Sequence, residues 1–379
     1  SWTFPPGFTF DEGPHVSFTK DERVQRILAD AVDGEYEEIQ YELDNYWRGH
    51  WVTHPAQCNL YGLPVDVVTK VIADFVEQLN EPERPIENYE QWLVASYGRT
   101  FAEEFPAAYT RKYHTTPPEN MTTDWIGPRM YRPSLEEVLR GALAPAAPNV
   151  HYVTGFRYPT NGGFAAYLRK FTTTAPIELG HEAVRIDATR RTIRFSNGHD
   201  VEYEGLISSV PLPALLEIVE GVPTDVREAG SRLACSSCVL VNVGVSRPEV
   251  TDKHIKYFYD EDILFSRLCF PSLMSPSNAP HGTSSIQAEV YFSKKYRPLT
   301  SKPEELVDPV IGDLEKCGLI DRDEVVYKGA VLCDYANIIF DHERSEALAI
   351  VHGYLADVGI AWCGRYGDWD YMWTDDSFK

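Results

Sequence analysis

The strongest constraint on the fold is a hairpin signal that is followed by an apolar run near the middle of the chain. Asn197 and Gly198 lie between two short runs of alternating apolar and polar residues, and Asn-Gly in that setting favours a tight turn between antiparallel strands. The next run, Leu206–Val210, ends at Pro211 and is predicted to be a strand buried on both faces. A helical pattern follows directly, so the chain is predicted to be α/β.

The rest of the chain continues this mixture of elements. Further strands are predicted at 238–245, 255–259, 286–292 and 325–332, and helices at 23–33, 65–79, 303–317 and 342–358. The helix at 65–79 is predicted to bury one face, because the apolar residues at helical spacing are Val65, Val68, Ile72, Phe75, Val76 and Leu79. Ser134 with Glu137 three residues later predicts a capped helix start.

Composition bounds the class of protein. The chain has 379 residues, of which 43% are apolar and 12% aromatic, so it can bury a large core in one or more domains. It carries 35 Lys and Arg against 57 Asp and Glu, a net charge of −22, which repels nucleic acid and anionic lipid. No apolar run is long enough for a membrane helix, and no signal peptide opens the sequence.

The cysteines and the missing motifs narrow the function further. Seven scattered cysteines argue against a disulfide framework and favour a reducing compartment, so a cytoplasmic location is predicted. Cys235 and Cys238 have the spacing of a metal or redox pair, but no second pair exists, and packing is favoured. The sequence also lacks the phosphate-loop, dinucleotide-fingerprint, zinc-protease and serine-hydrolase motifs.

Residues 364–378 form the most distinctive candidate site. Gly364 and Gly367 frame Arg365, aromatic residues follow, and Asp375 and Asp376 come near the end. Glycine lets the backbone approach a ligand, arginine offers a planar fork for phosphate, and aromatic faces can stack on a flat ring. The alternative is a surface turn with a few buried aromatic residues.

Three earlier loops carry residues of similar character. His15 follows Gly13-Pro14 at the tip of a predicted turn, and Arg129 ends the segment Trp-Ile-Gly-Pro-Arg at 125–129. The third loop, Phe-Arg-Tyr-Pro at 156–159, precedes the paired glycines at 162–163. Loop tips are frequent sites of ligand contacts, although a lone histidine or arginine there also serves structural roles.

In order and spacing, these loops, the strands at 184–210 and the Gly-Arg-Tyr-Gly at 364–367 resemble the flavin-dependent UDP-galactopyranose mutases. These belong to the wider amine-oxidase and protoporphyrinogen-oxidase-like flavoproteins. The resemblance implies a Rossmann-like FAD-binding sheet of the GR2 type, a helical insertion and an antiparallel substrate-binding sheet. The implied regions are FAD-domain strands at 1–60, the insertion at 61–150, an FAD-domain hairpin and strand at 151–230, the substrate-binding sheet at 231–330, and the last FAD-domain part at 331–379.

The resemblance also implies an activity: isomerisation of a nucleotide-diphosphate sugar between pyranose and furanose through an adduct of the sugar with N5 of reduced FAD. His15 would lie beside the flavin, and Arg129 and Arg267 would neutralise the diphosphate. The implied substrate contacts are Gln57, Tyr257, Tyr335 and Tyr371, and the implied cofactor contacts are Val184, Gly364, Arg365, Asp375 and Ser377. Without the resemblance, the arginines could equally form surface ion pairs and the tyrosines could belong to the core.

The sequence departs from that family in two respects. It opens after the point where the family's Gly-rich βαβ unit would end, so it is predicted to be a fragment, to receive that unit from a second chain, or to lack FAD. The expected partners are a homo-oligomer or a chain that supplies the missing unit. Substrate-side aromatic positions are occupied by Met274, Ile255 and His114, which favours a different nucleotide or sugar. A flavin oxidoreductase and a non-catalytic partner subunit remain the alternatives.

Overall fold

The computed structural model describes residues 1–145 and 153–378 and divides into two compact units. The first unit comprises Ser1–Arg169 and Ser236–Asp334, and the second comprises Lys170–Cys235 and Tyr335–Lys379. The predicted boundary between residues 150 and 151 lies outside the described residues.

Strands and helices occur along the whole described chain. The strands are β1 (Trp2–Phe4), β2 (Phe8–Phe10), β3 (Tyr36–Gln40), β4 (Leu43–Trp47), β5 (His50–Thr53), β6 (Gly155–Pro159), β7 (Ala183–Asp187), β8 (Thr192–Phe195), β9 (Asp200–Glu202), β10 (Leu206–Ser208), β11 (Ser236–Val245), β12 (Ile255–Phe258), β13 (Arg267–Cys269), β14 (Ser284–Ser293), β15 (Val325–Cys333) and β16 (Ile360–Trp362). The helices are α1 (Glu22–Ala31), α2 (Val65–Asn80), α3 (Tyr89–Tyr97), α4 (Arg99–Ala102), α5 (Ala108–Tyr113), α6 (Leu135–Leu143), α7 (Arg169–Thr174), α8 (Leu212–Ile218), α9 (Thr224–Arg232), α10 (Pro271–Met274), α11 (Val307–Lys316), α12 (Arg344–Asp357) and α13 (Gly364–Gly367).

A seven-stranded sheet with the order β15-β11-β14-β13-β12-β4-β5 organises the first unit. The pairing of β12 with β4 is parallel and the other pairings are antiparallel, so the sheet is mixed. Side chains alternate between its faces, and one face is a continuous apolar core. That face packs against α11, and its central residues are Val239, Val241, Val243, Phe258, Ile286, Ala288 and Val290.

The opposite face of the sheet carries buried polar side chains. Asn45, Asn242, Gln287 and Glu289 are each at most 1% exposed, and they occupy the positions that alternate with the apolar ones. Aromatic side chains of α5 lie over part of this face: the Tyr113 ring is 4.6 Å from the ring of Tyr291 in β14. Burying so many polar groups is favourable only where they bond to one another or to a ligand.

The helical part of the first unit corrects one prediction. The predicted apolar face of α2 is only partly buried: Phe75 is buried and Val68 and Ile72 are half-buried, but Val65 and Leu79 are 77% and 58% exposed. Val71, which was not assigned to that face, is buried. The cause is a close crossing at Asp74, whose side chain accepts a hydrogen bond from the amide of Thr100 at 2.9 Å. That crossing turns the Val71–Phe75 side of the helix inward. The predicted cap at the start of α6 is confirmed, because Ser134 and Glu137 form a capping box.

The second unit contains a three-stranded antiparallel sheet, β7-β8-β9, and the parallel pair β10-β16. The predicted hairpin is confirmed, with Gly198 at a φ of 89° between β8 and β9. The expectation that β10 is buried on both faces is wrong, because Ile207 is 70% exposed. In the described residues β10 pairs with β16 alone, so its apolar side chains are only partly covered.

The fold is therefore mixed α/β with a large central mixed sheet, as predicted at that level. Among the described residues, no helix combines the length and the apolarity that a membrane crossing requires.

Candidate active site

Four polar or aromatic side chains line up across the seven-stranded sheet. Tyr257 pairs with Arg267, and Arg267 pairs with Glu289, while Asn45 is the partner of Tyr257 on its other side. Partners in a sheet register point to the same face. The register therefore gathers Asn45, Tyr257, Arg267 and Glu289 into one row on the polar face, although they are far apart in the sequence.

Arg267 is fixed by a buried carboxylate. Its Nε and Nη2 donate to the two oxygens of Glu289 at 2.6 and 2.9 Å, and the Tyr291 hydroxyl donates to the same carboxylate at 2.9 Å. The side chains of Arg267 and Glu289 are 20% and 2% exposed. Burial opposes the charge of Arg267, but the Glu289 carboxylate acts against it together with Tyr291, Tyr113 and Tyr109, and the guanidinium pKa lies above its usual range.

This geometry leaves donor capacity on Arg267 for a ligand. A guanidinium carries five N–H groups, and the bonds to Glu289 use the Nε edge. The Arg267 guanidinium carbon lies 5.8 Å from the Tyr113 ring centroid, which further restricts its orientation. Arg267 can therefore present a preformed fork to an anion without reorganising.

The ring of Tyr257 stacks on the ring of His54, which the side-chain amide of Asn45 holds in place. The centroids of the two rings are 4.9 Å apart, and the angle between their planes is 29°. His54 Nδ1 lies 3.0 Å from Asn45 Oδ1, which also accepts from the Tyr259 hydroxyl at 2.9 Å. Asn45 Nδ2 donates to the carbonyl of Val52, so Oδ1 is the acceptor and His54 Nδ1 carries the hydrogen.

The loop of His15 lies against the Arg267–Glu289 pair. Gly13 has a φ of 90°, and a Cβ at that position would lie 3.4 Å from Glu289 Oε1. His15 Nδ1 is 3.0 Å from the carbonyl of Gly13, and the His15 ring is 5.4 Å from that of Phe164. The structure thus brings together the predicted loops at 13–15 and 162–164.

A buried carboxylate joins these two loops. Asp11 accepts from the Tyr158 hydroxyl at 2.6 Å and from the amide of Phe164 at 3.1 Å. A Cβ on Gly163 would lie 2.8 Å from Asp11 Oδ1. Gly163 is therefore needed because its backbone passes directly over this carboxylate.

Arg129 and Gln57 meet at a shared loop. Arg129 ends a short 3-10 helix, Gly127–Arg129, and its Nη1 donates to the carbonyl of Trp125 at 2.9 Å. Gln57 Nε2 donates to the carbonyl of Tyr131 at 3.1 Å. Arg129, predicted to bind the diphosphate, and Gln57, predicted to contact the nucleoside, are thus attached to neighbouring parts of one loop region.

A series of ring contacts connects that loop to Arg267. The Trp125 ring is 5.2 Å from His114, and His114 is 4.9 Å from Tyr113, the ring beneath the Arg267 guanidinium. His114 is 4% exposed, and burial lowers its pKa to about 3. The intervening rings are therefore a rigid, neutral support between the Arg129 loop and Arg267 of β13.

The second unit gathers several other predicted residues. Arg365 Nε donates to the carbonyl of Met372 at 3.1 Å and Nη1 to that of Ala336 at 3.4 Å. Its guanidinium carbon lies 5.3 Å from the Tyr371 ring. The Tyr366 hydroxyl donates to the carbonyl of Tyr335 at 2.7 Å. Arg365 and its neighbours thus organise the segments at 335–336 and 371–372.

The remaining cofactor candidates lie on separate elements of this unit. Val184 is in β7 and is 43% exposed. Asp375 and Ser377 are in the 3-10 helix Thr374–Phe378. Their predicted contacts with FAD stay predictions.

The chain after β16 fits a nucleotide cofactor in one respect. Gly364 has a φ of 73°, and a Cβ placed on it would find no described atom within 4 Å. It follows the carboxyl end of the parallel pair β10-β16, the end where α/β sheets bind their ligands. Backbone that can approach a ligand therefore lies where a dinucleotide is expected.

Sequence reasoning missed Asn45, His54 and Glu289. A signal for Glu289 exists in the sequence, since Gln287 and Glu289 alternate with Ile286, Ala288 and Val290. Polar residues at period two inside an apolar strand indicate a buried polar face. No comparable signal points to His54.

Comparison with known proteins decides the family. Residues 68–334 match the sequence profile of the flavin containing amine oxidoreductases. The chain belongs to this family. That confirms the predicted superfamily, and FAD is the cofactor of its members.

Three solved structures share the fold. A reduced UDP-galactopyranose mutase superimposes with a TM-score of 0.88 and 26% identity, covering 98% of this chain and 82% of the mutase. A protein from Exiguobacterium sp. 255-15 that is assigned as a protoporphyrinogen oxidase has a TM-score of 0.70 and 12% identity, with 96% and 85% covered. Cyclohexylamine oxidase from Brevibacterium oxydans IH-35A has a TM-score of 0.61 and 11% identity, with 97% and 85% covered.

Proposed function

We propose that this protein is a mutase-like flavoenzyme that isomerises a nucleotide-diphosphate sugar between its pyranose and furanose forms. The observation that carries the proposal is the preformed Arg267–Glu289 pair, aligned with Tyr257 on the polar face and connected by rings to the Arg129 loop. The likeness to a UDP-galactopyranose mutase supports it.

The arginines would bind the diphosphate. When the bond from the sugar to the diphosphate breaks, negative charge grows on the departing oxygens, and fixed cations stabilise it most in a site that excludes water. Arg267 presents an oriented fork and Arg129 a second cation, while the Tyr257 hydroxyl can donate to the same oxygens. This local charge acts against the net charge of −22 of the whole chain.

The cofactor would bind against the backbone at Gly364 and the residues around Arg365. When bound in its reduced form, FAD would supply a nucleophile at this site. His15, packed between Gly13 and Phe164, would fix the loop that lies against Glu289 within the first unit.

The nucleoside and the sugar would differ from those of the mutase. Ile255 and Met274 are core residues that pack with Leu43, Phe156 and Tyr158, and His114 is enclosed by Trp125 and Tyr113. At the positions where the resemblance implies substrate contacts, Ile255 and Met274 therefore carry no aromatic ring, and the His114 ring is enclosed by its neighbours. A panel of nucleotide sugars with varied bases and sugars would identify the substrate.

Binding of nucleoside diphosphates tests the assignment. Arg129→Ala and Arg267→Ala should each weaken binding by about 2–4 kcal/mol, the range for removing one partner of a desolvated charge pair. Arg140→Ala is the matched control, because Arg140 forms an exposed ion pair with Glu136 on α6. Isothermal titration with UDP and GDP measures the effect, and unchanged affinity in both site variants would refute the assigned pocket.

Redox behaviour separates the proposal from an oxidoreductase. A mutase of this kind should turn over only after reduction by dithionite and should consume no oxygen. Peroxide release in air with an amine or neutral substrate would favour the oxidoreductase instead. Such a substrate has no need for two fixed cations.

A further inference from the structure

The seven-stranded sheet places two thiols directly opposite each other. Cys238 in β11 and Cys333 in β15 are Cα partners in an antiparallel ladder, and both are free cysteines. Cα atoms of such partners are about 4.5–5.5 Å apart, and a disulfide spans about 4.4–6.8 Å. Because register partners point to the same face, the two side chains also have compatible directions.

The position of this pair along the chain gives it a structural consequence. β11 begins at Ser236, where the chain enters the first unit for the second time, and β15 ends at Cys333, just before it leaves at Asp334. Cys238 and Cys333 therefore lie on the two strands through which the chain enters and leaves this part of the unit. A covalent link between them would close a loop that contains β12, β13, β14 and α11.

We propose that Cys238 and Cys333 form a site of reversible oxidation whose co-reactant is a small disulfide such as oxidised glutathione. The half-buried Cys333 is the entry point, because Cys238 is only 3% exposed. The Cys333 thiolate attacks the small disulfide, forms a mixed disulfide and releases one small thiol. The Cys238 thiolate then attacks Sγ of Cys333, forms the cross-strand bond and releases the second small thiol.

This exchange balances without another reagent. Two protein thiols are oxidised to one disulfide, the small disulfide is reduced to two thiols, and the two protons pass from protein to product. An excess of small thiol reverses both steps.

The surroundings make the reaction slow near neutral pH. Burial, together with Glu12 and Glu289, raises the pKa of the Cys333 thiol to about 12, and burial raises that of Cys238 as well. Since only the thiolate reacts, the rate should rise about tenfold per pH unit between pH 7 and 10. The site would respond to sustained rather than brief oxidation.

Peptide mapping of the full chain tests the proposal. We expect incubation with oxidised glutathione at pH 9 to produce a Cys238–Cys333 linkage, detected by mass spectrometry without reduction, with the loss of these two thiols from the seven. The linkage should survive Cys363→Ser, since Cys363 is exposed and outside the pair. Circular dichroism before and after oxidation checks that the chain remains folded.

Several results would overturn the proposal. A mixed disulfide at Cys333 that never resolves, a Cys235–Cys238 linkage, or oxidation confined to Cys363 would each contradict it. In Cys333→Ser, Cys238 should stay reduced, and its modification in that variant would show that Cys333 is not the entry point.

Discussion

The buried pair of Arg267 and Glu289 gives the sharpest test of the site. Glu289→Gln keeps the side-chain volume but removes the charge and replaces one acceptor oxygen by a donor. The Glu289 carboxylate accepts two hydrogen bonds from Arg267 and one from Tyr291. In the variant, the NH2 group of the glutamine would point at one of these donors and could not accept its hydrogen bond. Removing one partner of a buried ion pair costs about 3–5 kcal/mol.

The expected loss lies near the lower end of that range, about 3 kcal/mol. Arg267 is 20% exposed while Glu289 is only 2% exposed, so water can solvate part of the orphaned guanidinium. Urea unfolding followed by fluorescence measures the change in free energy of unfolding. Removing both charges in Arg267→Met with Glu289→Gln should recover part of the loss, because no buried charge is left unpaired.

A second pair in the same unit is a matched control. Arg111 donates to both oxygens of Glu261 at 2.9 and 2.8 Å, with the same forked geometry, but these side chains are 38% and 54% exposed. Glu261→Gln should therefore cost less than about 1 kcal/mol. If Glu289→Gln cost no more than Glu261→Gln, burial would not govern the pair and the argument would fail.

Further changes test other parts of the fold. Burial lowers the pKa of His114 from its ordinary value of 6.5 to about 3. Between these two pH values the histidine is therefore protonated in the unfolded chain but neutral in the folded chain. This residue should therefore remove about 2 kcal/mol of stability between pH 6.5 and 5, and urea unfolding of His114→Phe at both pH values should lack that loss. In α6, Gly141→Ala should destabilise by about 1–3 kcal/mol, because the new Cβ would lie 1.8 Å from the carbonyl of Cys58. Gly353→Ala in α12, where the same atom meets open space, should stabilise by up to about 1 kcal/mol, and thermal unfolding of the two variants should shift in opposite directions.

Local signals in the sequence were sufficient for much of the fold. The turn at Asn197-Gly198 is confirmed because its preference is intrinsic to two residues. The long strands β11 and β14 are confirmed for a related reason, since β11 carries a nearly continuous apolar pattern and β14 an alternating one. The apolar face of α2 was only partly right, because a crossing with a residue of another helix, Thr100, determines which side turns inward.

The sequence was sufficient to identify the loops of the candidate site, but it could not predict which of their residues would become partners in space. Arg267 was identified through a resemblance, yet its partner Glu289 lies 22 residues away and becomes visible only once the strand register is known. Similarly, Asn45 meets Tyr259 across 214 residues. Periodicity can state that a strand has a polar face, but it contains no information on which strand lies next to it.

The split of the second unit into two chain segments has a consequence for synthesis on the ribosome. β10 at residues 206–208 finds its parallel partner β16 only at residues 360–362, so the nascent chain must carry an unmatched strand while most of the seven-stranded sheet emerges. Pairing across such a sequence distance is slow and leaves an edge open to other chains. During translation, β10 therefore keeps an open strand edge until residues 360–362 have been made.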